Sequence, residues 1–269
     1  MGVFMHITHD FHTHTVYSSD TGSSATYDLY LDRARKLGIT HLGFAEHFWD
    51  DSIEGSFPFY KILTRERLMR ARQEFESYKG EDIRLFFGCE VEYDPVHKAP
   101  ALTEQTAEMF DFVLVPHSHS HETMPKEYYD APQKHCEFLL DAYNNIIDSP
   151  VSRYITAMAH PFGLVRCPYP CDVMLDMVTD DTFKRMFDKT AQKEIAVEIN
   201  TACIFKDASV EQLEQSPYLR LFRLAKECGC KFLFGSDSHS SHRMYIMDQA
   251  NAVCELLALE KNDIASIAH

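Results

Sequence analysis

Seven short apolar runs, separated by amphipathic stretches of helical length, recur along this chain of 269 residues. The runs cover residues 3–11, 41–45, 83–89, 112–115, 154–159, 195–199 and 231–234. They follow one another at intervals of roughly 25–45 residues, which is the length of a β-strand, its crossover helix and the connections to the next strand. This spacing predicts a parallel sheet with right-handed connections.

The stretches between the runs mix apolar and charged residues at the helical period. They predict helices over residues 27–36, 65–78, 134–147, 173–191, 211–227 and 248–257. Gly38, Gly80 and Gly229 follow three of these stretches and are typical of helix ends. Because the chain contains neither a fixed-period repeat nor a linker, we expect residues 1–269 to form one closed or nearly closed α/β barrel rather than two domains.

Histidine and acidic side chains lie at or just after the ends of all seven predicted strands. In chain order they are Asp10, His12 and His14; Glu46 and His47; Glu90 and Glu92; His117, His119 and His121; His160; Glu198, with Asn200; and Asp237 and His239. The carboxyl ends of the strands of an α/β barrel converge on one rim, where active sites are built. We therefore expect many of these side chains to meet at one point.

These residue types indicate a metal centre. His12 and His14 are two positions apart, so on an extended segment both imidazoles face the same side, and Asp237 and His239 repeat this spacing. Imidazole and carboxylate ligands without thiolate suit Zn, Mn or Fe ions better than Mg or Ca. The donors outnumber the ligands of one tetrahedral ion, which predicts more than one metal.

The charge balance and the amino-terminal residues restrict the partners. The 26 basic residues against 41 acidic ones give a net charge of −15, which argues against a surface that grips a long nucleic acid. No run approaches the ~18 apolar residues that a membrane span requires. The first residues, MGVFMHITHDFH, do not resemble a signal peptide. We expect a cytoplasmic protein without a membrane partner.

Six segments of this sequence together resemble the PHP family, the phosphoesterases named after polymerases and histidinol phosphatase. They read DFHTHTVYSSD, FAEHF, GCEVE, MAHPF, VEIN and GSDSHS, and the resemblance spans most of the chain, from Asp10 to His239. Glu46-His47 and the six-residue step from His14 to Asp20 are most similar to the stand-alone members of histidinol-phosphatase type. The resemblance implies a distorted (β/α)7 TIM-like barrel that holds three divalent metal ions.

The resemblance also implies which residues hold each ion. One ion would be bound by His12, His14, Glu90 and Asp237; a second by Glu90, His119 and His160; and a third by Asp20, His47 and His239. Glu90 would bridge two ions, and we assign Glu90, Asp237 and His239 a catalytic role.

Two positions depart from the commonest family pattern. The fourth motif offers His117, His119 and His121, and we choose the central His119 as the ligand, with the other two left as alternatives. Asp20 occupies a position where some members have histidine; a carboxylate binds a hard or borderline ion equally well, although the metal preference can differ.

Clustered dications polarise phosphoryl oxygens, lower the pKa of a bound water and hold the resulting hydroxide in line with the leaving group. The leading hypothesis is therefore a phosphomonoesterase that acts on a small phosphorylated metabolite, and the resemblance supplies L-histidinol phosphate as the substrate. Arg166 is a candidate phosphate clamp and His242 a candidate substrate contact.

Three other functions remain open. They are a phosphodiesterase or nucleotidase that acts on nucleotides or short oligonucleotides, a catalytically silent metal-binding protein, and an amide hydrolase. Several remaining histidines are interpreted as surface residues, namely His6, His9, His41, His97, His135 and His269. The aromatic segment 57–60 forms either part of a lid or substrate wall, or an ordinary packed loop.

Overall fold

A computed structural model describes residues 5–79, 82–163, 167–201, 209–244 and 247–269. Its strands are β1 His9–Thr13, β2 His41–Phe48, β3 Arg84–Val91, β4 Tyr93–Asp94, β5 Ala99–Pro100, β6 Phe112–Pro116, β7 Ala157–Ala159, β8 Ala196–Asn200 and β9 Phe232–Gly235. Seven of them form one sheet in the order β1-β2-β3-β6-β7-β8-β9, and each neighbouring pair is parallel. β4 and β5 form a separate antiparallel pair.

The two outer strands of this sheet meet, so that the sheet forms a nearly closed barrel. The backbone N–H of His14 donates to the carbonyl of Ser238 over 2.9 Å, and the N–H of Ser238 donates to the carbonyl of His12 over 3.1 Å. A parallel bridge between Thr13 and Ser238 lies at the same place. The predicted fold class, a distorted (β/α)7 TIM-like barrel, is confirmed.

Helices fill the connections between the strands. They are α1 Tyr27–Leu37, α2 Arg65–Glu76, α3 Glu104–Ala107, α4 Ser120–Thr123, α5 Pro132–Asp148, α6 Cys171–Asp176, α7 Asp180–Gln192, α8 Val210–Gln215, α9 Pro217–Glu227 and α10 Met247–Leu256. α1 ends at Gly38, which adopts the left-handed conformation at φ 71° that favours glycine. Within the described residues, none of these helices is both long enough and apolar enough to cross a lipid bilayer.

Two predicted helices are each divided in two. The segment predicted as one helix over 173–191 contains most of α6 and all but the last residue of α7, and Thr179 caps α7 by accepting a hydrogen bond from the N–H of Thr182. The segment 211–227 breaks at Ser216, which caps α9, and Pro217 occupies the first turn of that helix. The prediction relied on apolar periodicity, which continues across both caps.

The first strand lies farther along the chain than predicted. Residues 3–11 were expected to be extended, but β1 covers His9–Thr13, and residues 1–4 lie outside the described part. The difference places His12 within the strand instead of after it, and the strand is buried along its whole length. The backbone of His12 is therefore fixed by the sheet.

Aromatic side chains pack inside the barrel below the predicted ligands. A Cβ atom added to Gly88 or Gly43 would collide with the ring of Phe112, and the Phe11 ring packs edge-on against that ring at 5.3 Å between centroids. Gly88 precedes Glu90 by two positions on β3, so both face the same side of the sheet. The absence of a side chain at Gly88 thus lets an aromatic ring lie directly beneath the Glu90 carboxylate.

Candidate metal centre

The Glu90 carboxylate, at the carboxyl end of β3, lies at the centre of a buried cluster of imidazoles. Glu90 Oε1 is 2.9 Å from His160 Nε2, and Glu90 Oε2 is 2.8 Å from His47 Nδ1 and 3.5 Å from His12 Nε2. Side chains from β1, β2 and β3, with His160 just after β7, thus converge on one carboxylate. This is the convergence that the strand ends predict.

Four groups of three side chains place ligand atoms within 4.8 Å of one another. They are His14, His47 and His239; His12, His14 and Glu90; His12, His160 and Asp237; and Glu90, His119 and His160. The last group has the same members as the second predicted ligand set. Two of the other groups contain His12. Together these two groups include every member of the first predicted set, namely His12, His14, Glu90 and Asp237.

Asp237, which follows β9, contacts two imidazoles of the cluster. Its Oδ1 atom is 3.2 Å from His14 Nε2 and 3.6 Å from His12 Nε2. Asp237 has φ 50° and His160 has φ 25°, so both are in the left-handed region that non-glycine residues rarely adopt. Such backbone strain concentrates at functional sites, where the surrounding structure maintains it.

The third predicted ligand set lies at the more open side of the cluster. Asp20 Oδ2 is 2.9 Å from His239 Nε2 and 3.4 Å from His47 Nε2. The His14 ring lies between those of His47 and His239, with centroid distances of 4.2 and 4.4 Å. Asp20 is 38 % exposed, whereas His47 is 7 % exposed, so this set borders solvent.

The loop that carries Asp20 is held by hydrogen bonds to β2 and α2. The Glu46 carboxylate accepts hydrogen bonds from the Thr15 hydroxyl over 2.5 Å and from the Ser18 hydroxyl over 2.7 Å. Arg67 donates to the carbonyls of two residues in the same loop, Tyr17 and Val16. Glu46 thus acts on the loop, while the adjacent His47 points to the cluster.

Two buried atoms of the cluster have the surroundings expected of metal ligands. Among the described residues, His12 Nε2 and Glu90 Oε2 are shielded from water and lie at ion-pair distance from neighbouring side chains, but neither makes a hydrogen bond of good geometry. Leaving such polar atoms buried and unsatisfied is costly unless another group binds them. The donor set is imidazole and carboxylate, so the residues present fit divalent transition-metal ions.

The remaining ring nitrogen of three predicted ligands is held by a second residue. His12 Nδ1 donates to Glu198 Oε1 over 2.7 Å, His119 Nδ1 donates to Glu92 Oε2 over 3.0 Å, and His160 Nδ1 lies 2.7 Å from the Ser118 hydroxyl. Metal-binding histidines are usually oriented in this way, which fixes the tautomer that exposes the other nitrogen.

Sequence reasoning missed the role of Glu92 and its partner Tyr60. The Tyr60 hydroxyl donates to Glu92 Oε2 over 2.6 Å, and the same oxygen accepts the hydrogen bond from His119. Glu92 follows Glu90 by two positions in the Glu90-Val-Glu92 segment, so alternation alone could have placed both on the inner side. Nothing in the sequence links Tyr60 to them.

The cluster strongly perturbs the pKa values of its members. Burial alone would raise the pKa of Glu90, but the positive charges on His12, His119 and His47 hold it well below its usual range. Burial would lower the pKa values of His47 and His119; the carboxylates beside them instead raise these values to about 10 and about 9. In the absence of metal, protons on these imidazoles therefore compensate the buried carboxylates.

The cluster opens into a cavity of about 200 Å³. Its lining residues are Asp20, His47, Phe59, Tyr60, His119, His121, Glu122, Asp237 and His239. The predicted catalytic residues Asp237 and His239 line the cavity, while Glu90 lies beneath it. Phe59 and Tyr60 belong to the aromatic segment 57–60, which therefore forms part of the cavity wall.

The three histidines of the fourth motif have different surroundings. His117 Nδ1 donates to the carbonyl of Leu139 over 3.0 Å, and His117 Nε2 accepts from the N–H of Phe162 over 3.0 Å. Both ring nitrogens of His117 are thus engaged in backbone contacts. His119 Nε2 is 3.8 Å from Glu90 Oε1, and His121 lines the outer cavity. His119 is the member of this motif that belongs to a ligand group.

Other candidate residues lie away from the cluster. Arg166 is outside the described residues, so its role as a phosphate clamp stays a prediction. His242 is exposed in a 3-10 turn over Ser241–Arg243 and is not among the residues that line the cavity. Asp10, one of the strand-end residues, accepts hydrogen bonds from the backbone N–H groups of His12 and Ser236, which join β1 to the end of β9.

Two histidines interpreted as surface residues are buried. His9 Nε2 accepts a hydrogen bond from the N–H of Phe234 over 3.1 Å, and burial, together with the nearby charges of His41 and His269, lowers the pKa of His9 to about 3. His135 lies on the buried side of α5, with Nε2 3.0 Å from a serine hydroxyl. The surface interpretation of both was wrong because a neutral imidazole can pack in a core once it has hydrogen-bond partners.

Glu198 supports two ligands at once, and we expect its replacement to weaken metal binding. Its Oε1 atom accepts from His12 Nδ1, and its Oε2 atom accepts from the backbone N–H of His160 over 2.5 Å. In the Glu198→Gln variant, the amide N–H₂ faces one of these donors. We expect metal affinity to fall by about 10–100-fold and unfolding to become easier by about 1–3 kcal/mol.

Metal titration and thermal unfolding measure these two effects. The matched control is Glu214→Gln, since Glu214 is exposed on α8 and belongs to none of the ligand groups. Unchanged metal affinity in Glu198→Gln would show that this carboxylate does not orient the ligands.

The comparison with known families decides the assignment. A family model of the PHP domain matches residues 10–202. This chain belongs to the PHP family. The matched residues contain the first six strand ends of the barrel, and the resemblance inferred from the sequence is confirmed.

Two solved structures are similar to this PHP-family chain over nearly its whole length. A histidinol phosphate phosphatase from Lactococcus lactis, complexed with zinc, L-histidinol and phosphate, superposes with a TM-score of 0.64 at 18% identity, covering 94% of this chain and 95% of that chain. A protein assigned as a histidinol phosphatase from Listeria monocytogenes superposes with a TM-score of 0.63 at 16% identity, covering 88% and 97%. No curated protein matches the chain.

Proposed function

We propose that this PHP-family protein is a metal-dependent phosphomonoesterase that hydrolyses L-histidinol phosphate at a site of three divalent ions, Zn, Mn or Fe. The observation that carries the proposal is the convergence of imidazoles on the buried Glu90 carboxylate beneath an open cavity. The substrate is suggested by the similar Lactococcus lactis enzyme, which was solved with L-histidinol and phosphate.

The contacts described above support ligand sets close to those inferred from the sequence, although His14 rather than Asp20 groups with His47 and His239. His12, His14, Glu90 and Asp237 would hold one ion; Glu90, His119 and His160 a second; and Asp20, His47 and His239 a third. When bound, such ions polarise phosphoryl oxygens and lower the pKa of a bound water. Three dications would outnumber the charges of the three carboxylates among these ligands, so the site would attract a phosphate despite a chain charge of −15.

The side chains themselves perform three tasks. Glu92 and Glu198 orient ligand imidazoles through their second nitrogens, so the cluster is rigid before substrate arrives. The Asp237 carboxylate lines the cavity and stays ionised, because His12 and His14 hold its pKa well below the usual range despite its burial. His239 Nδ1 donates to the Asp237 carbonyl over 3.0 Å, and this bond keeps His239 Nε2 directed to Asp20.

The size of the cavity favours a small monoester. A volume of about 200 Å³ admits a phosphate with a short organic group, and among the described residues the lining contains no lysine or arginine that would follow a polynucleotide backbone. This argues for a phosphorylated metabolite over an oligonucleotide.

A substrate panel tests the proposal. The protein would be stripped of metal, reconstituted in turn with Zn, Mn and Fe, and assayed for phosphate release from L-histidinol phosphate and from a nucleotide 3′,5′-bisphosphate. We expect turnover of L-histidinol phosphate with a higher kcat/KM than that of the nucleotide, and none in an Asp237→Asn variant. Hydrolysis of the nucleotide alone would support a nucleotidase, and metal binding without turnover of either would support a silent metal-binding protein.

A further inference from the structure

Part of the cavity wall is made of residues that belong to none of the predicted ligand sets. Phe59 comes from the connection between β2 and α2, and His121 and Glu122 come from the short helix α4. These three side chains, called the outer wall below, face the same cavity as the ligands Asp237 and His239. They are therefore in position to contact the part of a substrate that does not bind the metals.

Glu122 carries a charge in the outer wall that the residues described by the structure leave largely uncompensated. Within the described residues, the one basic group at ion-pair distance is the His121 imidazole, whose Nε2 atom is 3.8 Å from Glu122 Oε1. No hydrogen bond to this carboxylate is found among the described residues, and its side chain is 30 % exposed. A carboxylate in such a position can bind a cation from solution.

The outer wall adjoins the ligand His119, and Glu122 lines the cavity whereas Glu90 does not. His119 Nε2 is 3.8 Å from Glu90 Oε1, the His121 ring centroid is 5.8 Å from that of His119, and Glu122 lies next to His121. The cavity therefore has a cation-binding cluster at its base and the negative charge of Glu122 in its outer wall. A ligand with matching order would have its phosphate inside and its positive charge outside.

We infer that Glu122 is a specificity-determining residue that selects phosphate monoesters whose leaving alcohol carries a positive charge. The inference rests on the proposed function, since it assumes that the phosphate binds at the metal cluster. The ammonium or imidazolium of such an alcohol would be bound by the Glu122 carboxylate. Phe59, whose ring contacts that of His47 edge-on at 5.3 Å, would provide an apolar surface for the rest of the alcohol.

Comparing two esters in one variant tests this inference. The metal-loaded Glu122→Gln variant would be assayed with L-histidinol phosphate, whose alcohol is cationic, and with glycerol 1-phosphate, whose alcohol is neutral. We expect the kcat/KM for L-histidinol phosphate, divided by that for glycerol 1-phosphate, to be about tenfold lower in the variant than in the wild-type protein. The change should come mainly from a higher KM for L-histidinol phosphate, as expected for the loss of a hydrogen bond to a charged group. The matched control is Glu127→Gln, because Glu127 is exposed nearby and does not line the cavity.

A binding measurement separates this inference from the proposed function. Calorimetric titration of L-histidinol into the metal-loaded proteins measures recognition of the alcohol without any turnover. About tenfold weaker binding to Glu122→Gln than to Glu127→Gln supports the inference, even if wild-type protein hydrolyses neither ester and the proposed function fails. An unchanged ester ratio together with unchanged L-histidinol affinity would overturn the inference while leaving phosphatase activity intact.

Discussion

Replacing Glu90 by glutamine is expected to lower kcat/KM for a phosphate monoester by at least about a thousandfold, which corresponds to roughly 4 kcal/mol of lost transition-state stabilisation. The substitution preserves the shape of the side chain but removes the charge that His47, His12 and His160 surround. An amide oxygen is a much weaker ligand than a carboxylate, so we also expect bound metal to decrease. Activity assays and elemental analysis measure both effects.

The backbone should tolerate this change. Glu90 lies in a strand that pairs with β2 over its full length and with β6, so we expect an unchanged far-ultraviolet circular dichroism spectrum. Glu214→Gln, on the exposed surface of α8, serves as the control and should keep full activity. If Glu90→Gln retained wild-type activity and metal content, the assigned centre would be wrong.

The strand ends explain why so much of this centre could be predicted. A parallel barrel places the carboxyl ends of all its strands on one rim, so residues as distant in sequence as His12, Glu90 and Asp237 must approach one another once the fold class is known. The chain satisfies this constraint with contacts of 3.5 Å between His12 and Glu90 and 3.6 Å between His12 and Asp237. Topology thus supplies long-range geometry that spacing alone does not contain.

Properties that depend on side-chain packing could not be predicted in the same way. The choice between His117 and His119 depends on whether a ring nitrogen meets a backbone group, and the structure shows that both nitrogens of His117 do. The link from Tyr60 through Glu92 to His119 joins three separate elements, and no local pattern encodes it. The breaks before α7 and α9 similarly result from capping bonds that compete with apolar periodicity.

Removing the metals is the second change with a large expected effect. A chelator should abolish phosphatase activity, and readdition of Zn, Mn or Fe should restore it. A ligand present at about a hundred times its Kd stabilises a protein by about 2.7 kcal/mol per site, so loss of three ions should lower Tm by at least about 10 °C. Differential scanning calorimetry of the loaded and stripped protein measures this shift. Equal Tm values would contradict a site that binds metals tightly.

The pH dependence of that shift has a definite sign. In the stripped protein, the pKa values of His47 and His119 are raised to about 10 and about 9, mainly by neighbouring carboxylates that outweigh the effect of burial. The stabilisation from these protonated imidazoles is complete below the unfolded pKa of about 6.5 and is lost as pH rises through the folded values. As pH rises from about 6.5 to 8.5, each such histidine should lower the free energy of unfolding of the stripped protein by up to about 1.4 kcal/mol per pH unit.

Other members of the cluster do not oppose this trend. The pKa of His14 is lowered to about 3 by burial and by the adjacent imidazoles of His47 and His239, and that of Glu90 is also lowered, so both keep one charge state above about pH 6.5. Metal binding requires deprotonated imidazole and therefore strengthens as pH rises. The Tm difference between loaded and stripped protein should consequently widen from about pH 6.5 to 8.5. A constant difference across this interval would mean that the imidazole protons and the metals do not compete for the same nitrogens.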